Sequence, residues 1–263
     1  MENIADAVGD GVRLAEIPDS LARHPAFAPY LDLVPFAIDA NGAAGAGDGR
    51  AAPPPRFVPP PPRALGALEF ERRLVDRNEL IVRPDNLHDT INALVWQRFP
   101  HSKRAISEVH VALGAANTAN GRPRRRDILT LFDEAGALII SQREDLRALH
   151  EAHEWRRLFV DHRADFLRHC RTLLFGHGTL EQLASNPHRG LTVKALWLNL
   201  PPDIALAEED WRFAEQIRRD EVLHAKERRL ALPILGVPGW FDENRSPACY
   251  DDVDVFRPAR PLR

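Results

Sequence analysis

Residues 86–100 read Asn86-Leu87-His88-Asp89-Thr90-Ile91-Asn92-Ala93-Leu94-Val95-Trp96-Gln97-Arg98-Phe99-Pro100, and this run sets the fold. Asp85 or Asn86 stands where a helix wants its N-cap, apolar residues recur at helical spacing, and Pro100 stops the pattern. A helix over 87–99 follows. Working outward, helices are expected over 68–78, with Leu68, Leu74 and Val75 on the apolar side, and from 102 to about 115. Residues 121–126 read as a loop. Two apolar runs, 127–132 and 137–141, flank Asp133-Glu134-Ala135-Gly136 and read as a β-hairpin with Gly136 supplying positive φ. Beyond it come a short helix over 144–150 and a long helical pattern over 155–183, kinked at Gly176 and Gly178. A strand over 191–198, stopped by Pro201-Pro202, precedes a highly charged helix over 208–229. The tail from 233 to 263 is Pro- and Gly-punctuated coil, and no internal repeat is present. The expected class is α+β: one predominantly helical domain, a small hairpin-based sheet and an extended Pro-rich N-terminal arm.

Composition excludes several classes. The chain has 263 residues, 35 basic against 38 acidic, a net charge of −3 and a pI near 6.4. That length can bury a sizeable core, and the balance is neither that of a disordered acidic chain nor of a basic nucleic-acid wrapper. No run approaches the roughly 20 apolar residues of a bilayer span. Residues 1–20 lack a basic n-region followed by an apolar stretch, so no secretory signal is expected. Two cysteines, Cys170 and Cys249, make a disulfide framework implausible and a reducing cytoplasm the default. Of the basic residues only Lys103, Lys194 and Lys226 are lysines. This skew lowers the weight of the arginine cluster 122–126 and raises that of a surviving, compact amine. Residues 1–39 hold two short amphipathic segments, 41–52 are Gly/Ala-rich, and 53–62 form a proline run around Phe57, expected to dock on its own domain, the alternative being a motif that recruits a partner. The division expected is an N-terminal segment, 1–63, and a main domain with a C-terminal coil, 64–263.

Four groups could carry chemistry. His88, Asp89 and Asn92 place an imidazole, a carboxylate and an amide on the first turns of an otherwise core-facing helix, where unpaired burial costs about 1–3 kcal/mol each. Lys103, Ser107 and His110 share a face of the next helix, and an antiparallel turn at Pro100 could carry His110 toward His88. Asp127, Asp133 and Glu134 sit at expected strand ends, where direction is fixed. His162, His169 and His177 punctuate one apolar stripe; the first two read as satisfied core residues. His177 stands apart, flanked by glycines with Glu181 one turn on, a spacing open to metal ligation. A lone Glu221-x-x-His224 falls short of the two such motifs a di-iron bundle needs. No Gly-x-Ser-x-Gly elbow, phosphate loop, Cys-x-x-Cys pair or dinucleotide fingerprint occurs.

Several runs together resemble a bacterial domain of unknown function, number 3025: Phe70-Glu71-Arg72-Arg73-Leu74, the 86–100 segment, Leu129-Thr130-Leu131-Phe132-Asp133-Glu134-x-Gly136, Phe175-Gly176-His177-Gly178, and Pro233-Ile234-Leu235-Gly236-Val237-Pro238-Gly239-Trp240. Tyr250-Asp251-Asp252 and Phe256-Arg257-Pro258 continue the likeness, which runs from about Pro25 to Pro258. The family has no established activity, so the resemblance implies one domain over most of the length and no reaction. This chain departs from it with Gly178-Thr179 in place of Ala-Leu. From the residues themselves, one expectation is a cleft where His88, His110 and His177 hold a divalent metal, zinc, manganese or iron. Beside it, His88, Asp89, Lys103, Asp133 and Glu134 would do acid–base work on a phosphoester or other small anionic substrate, with Lys103 or Lys194 neutralising charge. The alternative is a non-catalytic binding module in which Asn92, Lys194, Trp240 and Arg257 contact a ligand or protein. A third is a buried network that only specifies the fold. Nucleic acid and membrane are not expected partners, and the oligomeric state is not legible.

Overall fold

Strand β3 (Gly136–Ile140) is buried along its whole length and is the spine of a four-stranded sheet in the computed structural model, which describes residues 12–34, 53–115, 124–219 and 229–259. β4 (Arg171–Leu174) pairs with one edge of β3 antiparallel, and β5 (Thr192–Leu198) pairs with the other edge parallel. β6 (Arg229–Pro233) lies antiparallel to β5, giving the order β4-β3-β5-β6. A strand flanked on both edges and covered on both faces is an unbroken apolar run, as Ala137-Leu138-Ile139-Ile140 is. A separate parallel pair joins β1 (Arg56–Val58) to β2 (Glu79–Ile81), burying Phe57 with Leu74, Leu80, Val82 and Trp96 in a second, smaller core.

Helices surround the sheet. α1 (Asp19–Ala22) and the 3-10 turn Pro25–Leu33 bury Leu21, Phe27 and Tyr30, and the Tyr30 hydroxyl donates to the Leu174 carbonyl at 2.6 Å. α2 (Ala67–Arg77) ends on Asn78 in the left-handed region, φ 52°. α3 (Leu87–Arg98) starts where the sequence says: the Asn86 side chain accepts from Asp89 N–H at 3.0 Å. After a bend at Phe99, α4 (Pro100–Ala115) opens directly on Pro100, whose missing N–H is no loss at a first helical position. Its next two N–H groups, of His101 and Ser102, donate to the Asp210 carboxylate of α9 (Leu206–Arg218) at 2.8 and 2.9 Å. α6 (Glu144–Glu151) matches expectation.

Two secondary-structure expectations and one burial expectation are corrected. The run 127–132 is not a strand but part of α5 (Arg124–Ala135), which also takes in the end of the expected basic loop. Ile128, Leu129 and Phe132 are buried while Leu131 is 43% exposed, a 3.6-residue rhythm that a short apolar run disguises. Gly136 is accordingly the first residue of β3, without positive φ, and no hairpin forms there. The partner strand β4 lies instead inside the run read as one long helix. That run divides into a π-helical turn (Arg157–Asp161), α7 (Arg163–His169), β4 and α8 (His177–Ser185). β3 needs its free edge paired, because buried backbone N–H and C=O groups tolerate no vacancy, and Arg171–Leu174 supplies the ladder at the expense of helical continuity. His162, read as a core residue, instead bonds Asp165 at 3.2 Å and is 38% exposed. The charged helix is described to Arg218; Glu221, His224 and Lys226 lie outside the described residues, as does 41–52. The α+β class stands, with more helix than strand. Among the described residues, no helix is long and apolar enough to cross a membrane.

Candidate metal centre

Two helix N-termini deliver a pair of imidazoles to one place. His88 is the second residue of α3 and His177 the first of α8, and their ring centroids are 4.7 Å apart. Glu134, one residue before the end of α5, completes the group. His88, Glu134 and His177 each offer a ligand atom, and these atoms all lie within 4.8 Å of one another. The glycines beside His177 make this approach possible. A Cβ at position 176 would lie 2.6 Å from both the Ala135 Cα and the Glu134 carbonyl oxygen. One at position 178 would lie 2.5 Å from Glu134 Oε2. The end of α5 therefore rests on the start of α8 more closely than side-chain-bearing residues allow.

Hydrogen bonds decide which nitrogens face inward. His88 Nδ1 lies 2.7 Å from Glu181 Oε2, and His177 Nδ1 lies 2.7 Å from the Asp133 carbonyl oxygen. Carboxylate and carbonyl oxygens only accept, so both rings carry their proton on Nδ1 and, when neutral, hold a bare lone pair on Nε2. Burial pushes the His177 imidazole down to about 4, so it is neutral at pH 7. Its Nε2 nevertheless faces Glu134 Oε1 at 3.5 Å, an acceptor opposed to an acceptor. Such a pair is unfavourable unless a cation or a proton stands between. Donors each about 2.0–2.1 Å from a tetrahedral ion stand about 3.4 Å apart, which this separation matches. Burial also pushes the Glu134 carboxyl up, with the neighbouring Asp133 charge adding to it. His177 is only 4% exposed and forms the floor, while His88 at 31% and Glu134 at 47% form the rim. Two imidazoles and one carboxylate with an open side suit zinc, manganese or iron, and a carboxylate on Nδ1, as Glu181 is on His88, is the kind of contact that would orient a ligating histidine.

The other expected residues divide. Asn92, Lys103 and Asp133 lie behind the floor: Lys103 Nζ donates to Asp133 Oδ1 at 2.5 Å and to Asn92 Oδ1 at 2.8 Å, and Lys103 is 3% exposed. Burial works against the Asp133 carboxylate, but Lys103 and then His177 outweigh it and hold its pKa below the usual carboxylate value. Lys103 is therefore sealed from any substrate. Asp89 is gripped by the Arg83 fork at 2.8 and 2.9 Å and by Arg83 N–H, a structural role at the start of α3. His110 is not one of the three converging groups; its Nδ1 pairs with Glu71 Oε1 of α2 at 3.0 Å, because α4 packs along α2. Asp127 is exposed in the first turn of α5. Lys194 sits in β5 opposite Gly136, two residues beyond Glu134. Trp240 is elsewhere, against His24 at 6.3 Å, beside a depression of about 430 Å³ that Phe166, Leu167 and Arg168 also line. Arg257 is in the C-terminal coil, where its carbonyl accepts from Trp155 Nε1 at 2.8 Å. Sequence reading placed Glu181 with His177 and gave Glu71 no role; only the packing of α3 on α8 and of α2 on α4 reveals their partners.

Fold and site together define an α+β protein with a histidine–carboxylate cluster at the meeting point of three helix ends. Residues 56–260 match the profile of the family described as Protein of unknown function (DUF3025), and the chain belongs to that family. No curated protein and no solved structure matches it.

Proposed function

We propose that the chain binds a divalent metal through His88, Glu134 and His177 and uses it to hydrolyse a phosphoester or similar anionic substrate. The observation that carries this is the lone pair of His177 Nε2 facing the Glu134 carboxylate at 3.5 Å, with the His88 ring closing the triangle. A bound ion would supply Lewis acidity and a more acidic water. The rest is done by the chain. Glu181 holds His88 in the tautomer that presents Nε2, and the Asp133 carbonyl does the same for His177. The first turns of α3 and α8 aim their positive dipole ends at the cluster, which favours a negatively charged substrate group there. Two free cysteines, Cys170 half-buried and Cys249 buried, support a cytoplasmic setting.

Elemental analysis of purified protein equilibrated with zinc, manganese or iron(II), then desalted, tests the reading. One ion per chain is expected, falling to background in His88→Ala/His177→Ala. The loaded protein should then cleave bis(p-nitrophenyl) phosphate, and the double variant should not. Background metal in the unmutated protein removes the metal centre; full metal loading without turnover of this or a monoester probe removes the hydrolase.

A further inference from the structure

Lys103 sits where it cannot touch a substrate, yet every ligand of the cluster depends on what it holds. Its ammonium, on α4, donates to Asn92 of α3 and to Asp133 of α5, with the Trp96 ring centroid 5.5 Å away. α3 carries His88, and Glu134 follows Asp133 directly. One buried cation thus ties the His88 helix to the end of the Glu134 helix. It also bears on His177. Asp133 offers the His177 Nδ1–H two acceptors, its carbonyl oxygen at 2.7 Å and its carboxylate Oδ2 at 3.8 Å. A carboxylate is the stronger acceptor for an N–H donor unless its charge is engaged elsewhere. The weaker acceptor wins here, and the engagement of the carboxylate by Lys103 at Oδ1 accounts for it.

We propose that Lys103 is a positioning residue of this centre: by engaging the Asp133 carboxylate it leaves His177 on the Asp133 carbonyl, with Nε2 turned toward His88 and Glu134. The inference rests on the metal reading for its effect on affinity, but not for its effect on the ring. The sequence placed Lys103 beside the reacting bond; its burial gives it this other task. Without Lys103, Oδ2 draws the Nδ1–H, the ring turns away from Glu134, and the ion loses a ligand. Removing the Asp133 charge as well removes the pull.

The test is a two-by-two set: the unmutated protein, Lys103→Met, Asp133→Asn and the double variant. Zinc affinity is read by competition with a chromophoric chelator, and the setting of the His177 ring by its nitrogen-15 and carbon-bound proton signals in NMR of the metal-free proteins. Lys103→Met should bind zinc about 10- to 100-fold more weakly, the range for loss of an outer-shell partner. Its His177 ring signals should move. The double variant should recover most of the affinity and the original ring signals. Zinc bound by Lys103→Met as by the unmutated protein, or a double variant no better than Lys103→Met, overturns the proposal. If Lys103→Met does not fold, the comparison of the double variant with Asp133→Asn decides: equal affinity and equal ring signals are expected, and a large deficit in the double variant overturns it. Should the unmutated protein bind no zinc, the metal reading fails alone, and unchanged His177 signals across the set would separately refute the role of Lys103.

Discussion

Replacing Gly176 by alanine is the sharpest perturbation of the contact on which the centre is built. The new methyl would meet the Ala135 Cα at 2.6 Å, the Glu134 carbonyl oxygen at 2.6 Å and the Ala135 nitrogen at 2.7 Å. All three are backbone atoms at the junction of α5 and β3, a strand buried along its length, so none can swing aside. Ordinary contact would require the two segments to part by about 1 Å, and overpacking of this kind costs about 1–3 kcal/mol. A chain of this size would melt about 3 °C lower for each kcal/mol. The same displacement separates His177 from Glu134, so zinc affinity should fall at least about tenfold, since ligand distances tolerate only a few tenths of an ångström. Gly178→Ala is the informative partner. Its methyl meets mainly the Glu134 Oε2 end, at 2.5 Å, with the Glu134 carbonyl at 3.1 Å. A flexible carboxylate can rotate away, so stability should change by less than about 1 kcal/mol while zinc affinity still drops. Urea denaturation and chelator competition on the two variants measure both quantities. A Gly176→Ala protein within about 0.5 kcal/mol of the parent, with undiminished zinc binding, would refute the close-approach argument.

Other contacts in the protein carry outcomes of their own. His150 is fully buried and neutral, accepting from Trp197 Nε1 at 2.9 Å and donating to the Ala231 carbonyl at 3.0 Å, and burial pushes its pKa down to about 4. The unfolded chain takes up that proton more readily, so this stability is present above about pH 6.5 and is lost as pH falls toward 4, about 3 kcal/mol in all. Urea midpoints between pH 7 and 4.5 should fall less steeply in His150→Asn than in the parent; parallel curves count against a neutral buried ring. Glu181→Gln should weaken zinc binding about tenfold with little change in stability, because the amide replaces a charged acceptor for His88 Nδ1–H; unchanged affinity in the same chelator assay contradicts the orienting role. Asp210→Ala removes the acceptor for two N–H groups at the start of α4 and should cost about 2 kcal/mol by urea denaturation. Asn244→Leu leaves the Leu235 and Val237 carbonyls without their 2.8 and 2.7 Å donors and should loosen the C-terminal coil, seen as faster amide exchange around Tyr250.

How much of this is legible in the chain itself depends on whether the signal is local. The cap at Asn86, the helix behind it and the apolar strand 137–140 are written in neighbouring residues, and they hold. Ile128-Leu129-Thr130-Leu131-Phe132 is too short for periodicity to separate helix from strand. Arg171–Leu174 carries helical spacing yet becomes a strand, because it pairs with a segment some thirty residues earlier. The candidate site divides in the same way. His88, Glu134 and His177 stand out by residue type and by the glycines around His177, while His110 shares the residue type without sharing the place, and Trp240 and Arg257 lie elsewhere.

The sequence by itself determined the inventory: an α+β chain dominated by helix, the apolar strand at 137–140, an imidazole at one helix start, and a second imidazole and a carboxylate whose places at helix ends it did not show. Tertiary structure alone decided the pairings, Glu181 with His88, Glu71 with His110, and Lys103 with Asp133 inside the protein rather than at its surface. The physical reason is that capping and periodicity act over a few residues of one segment. The partner of a buried charge or a strand edge is whichever group the packing of distant segments brings within 3 Å or so, and no local pattern encodes that distance.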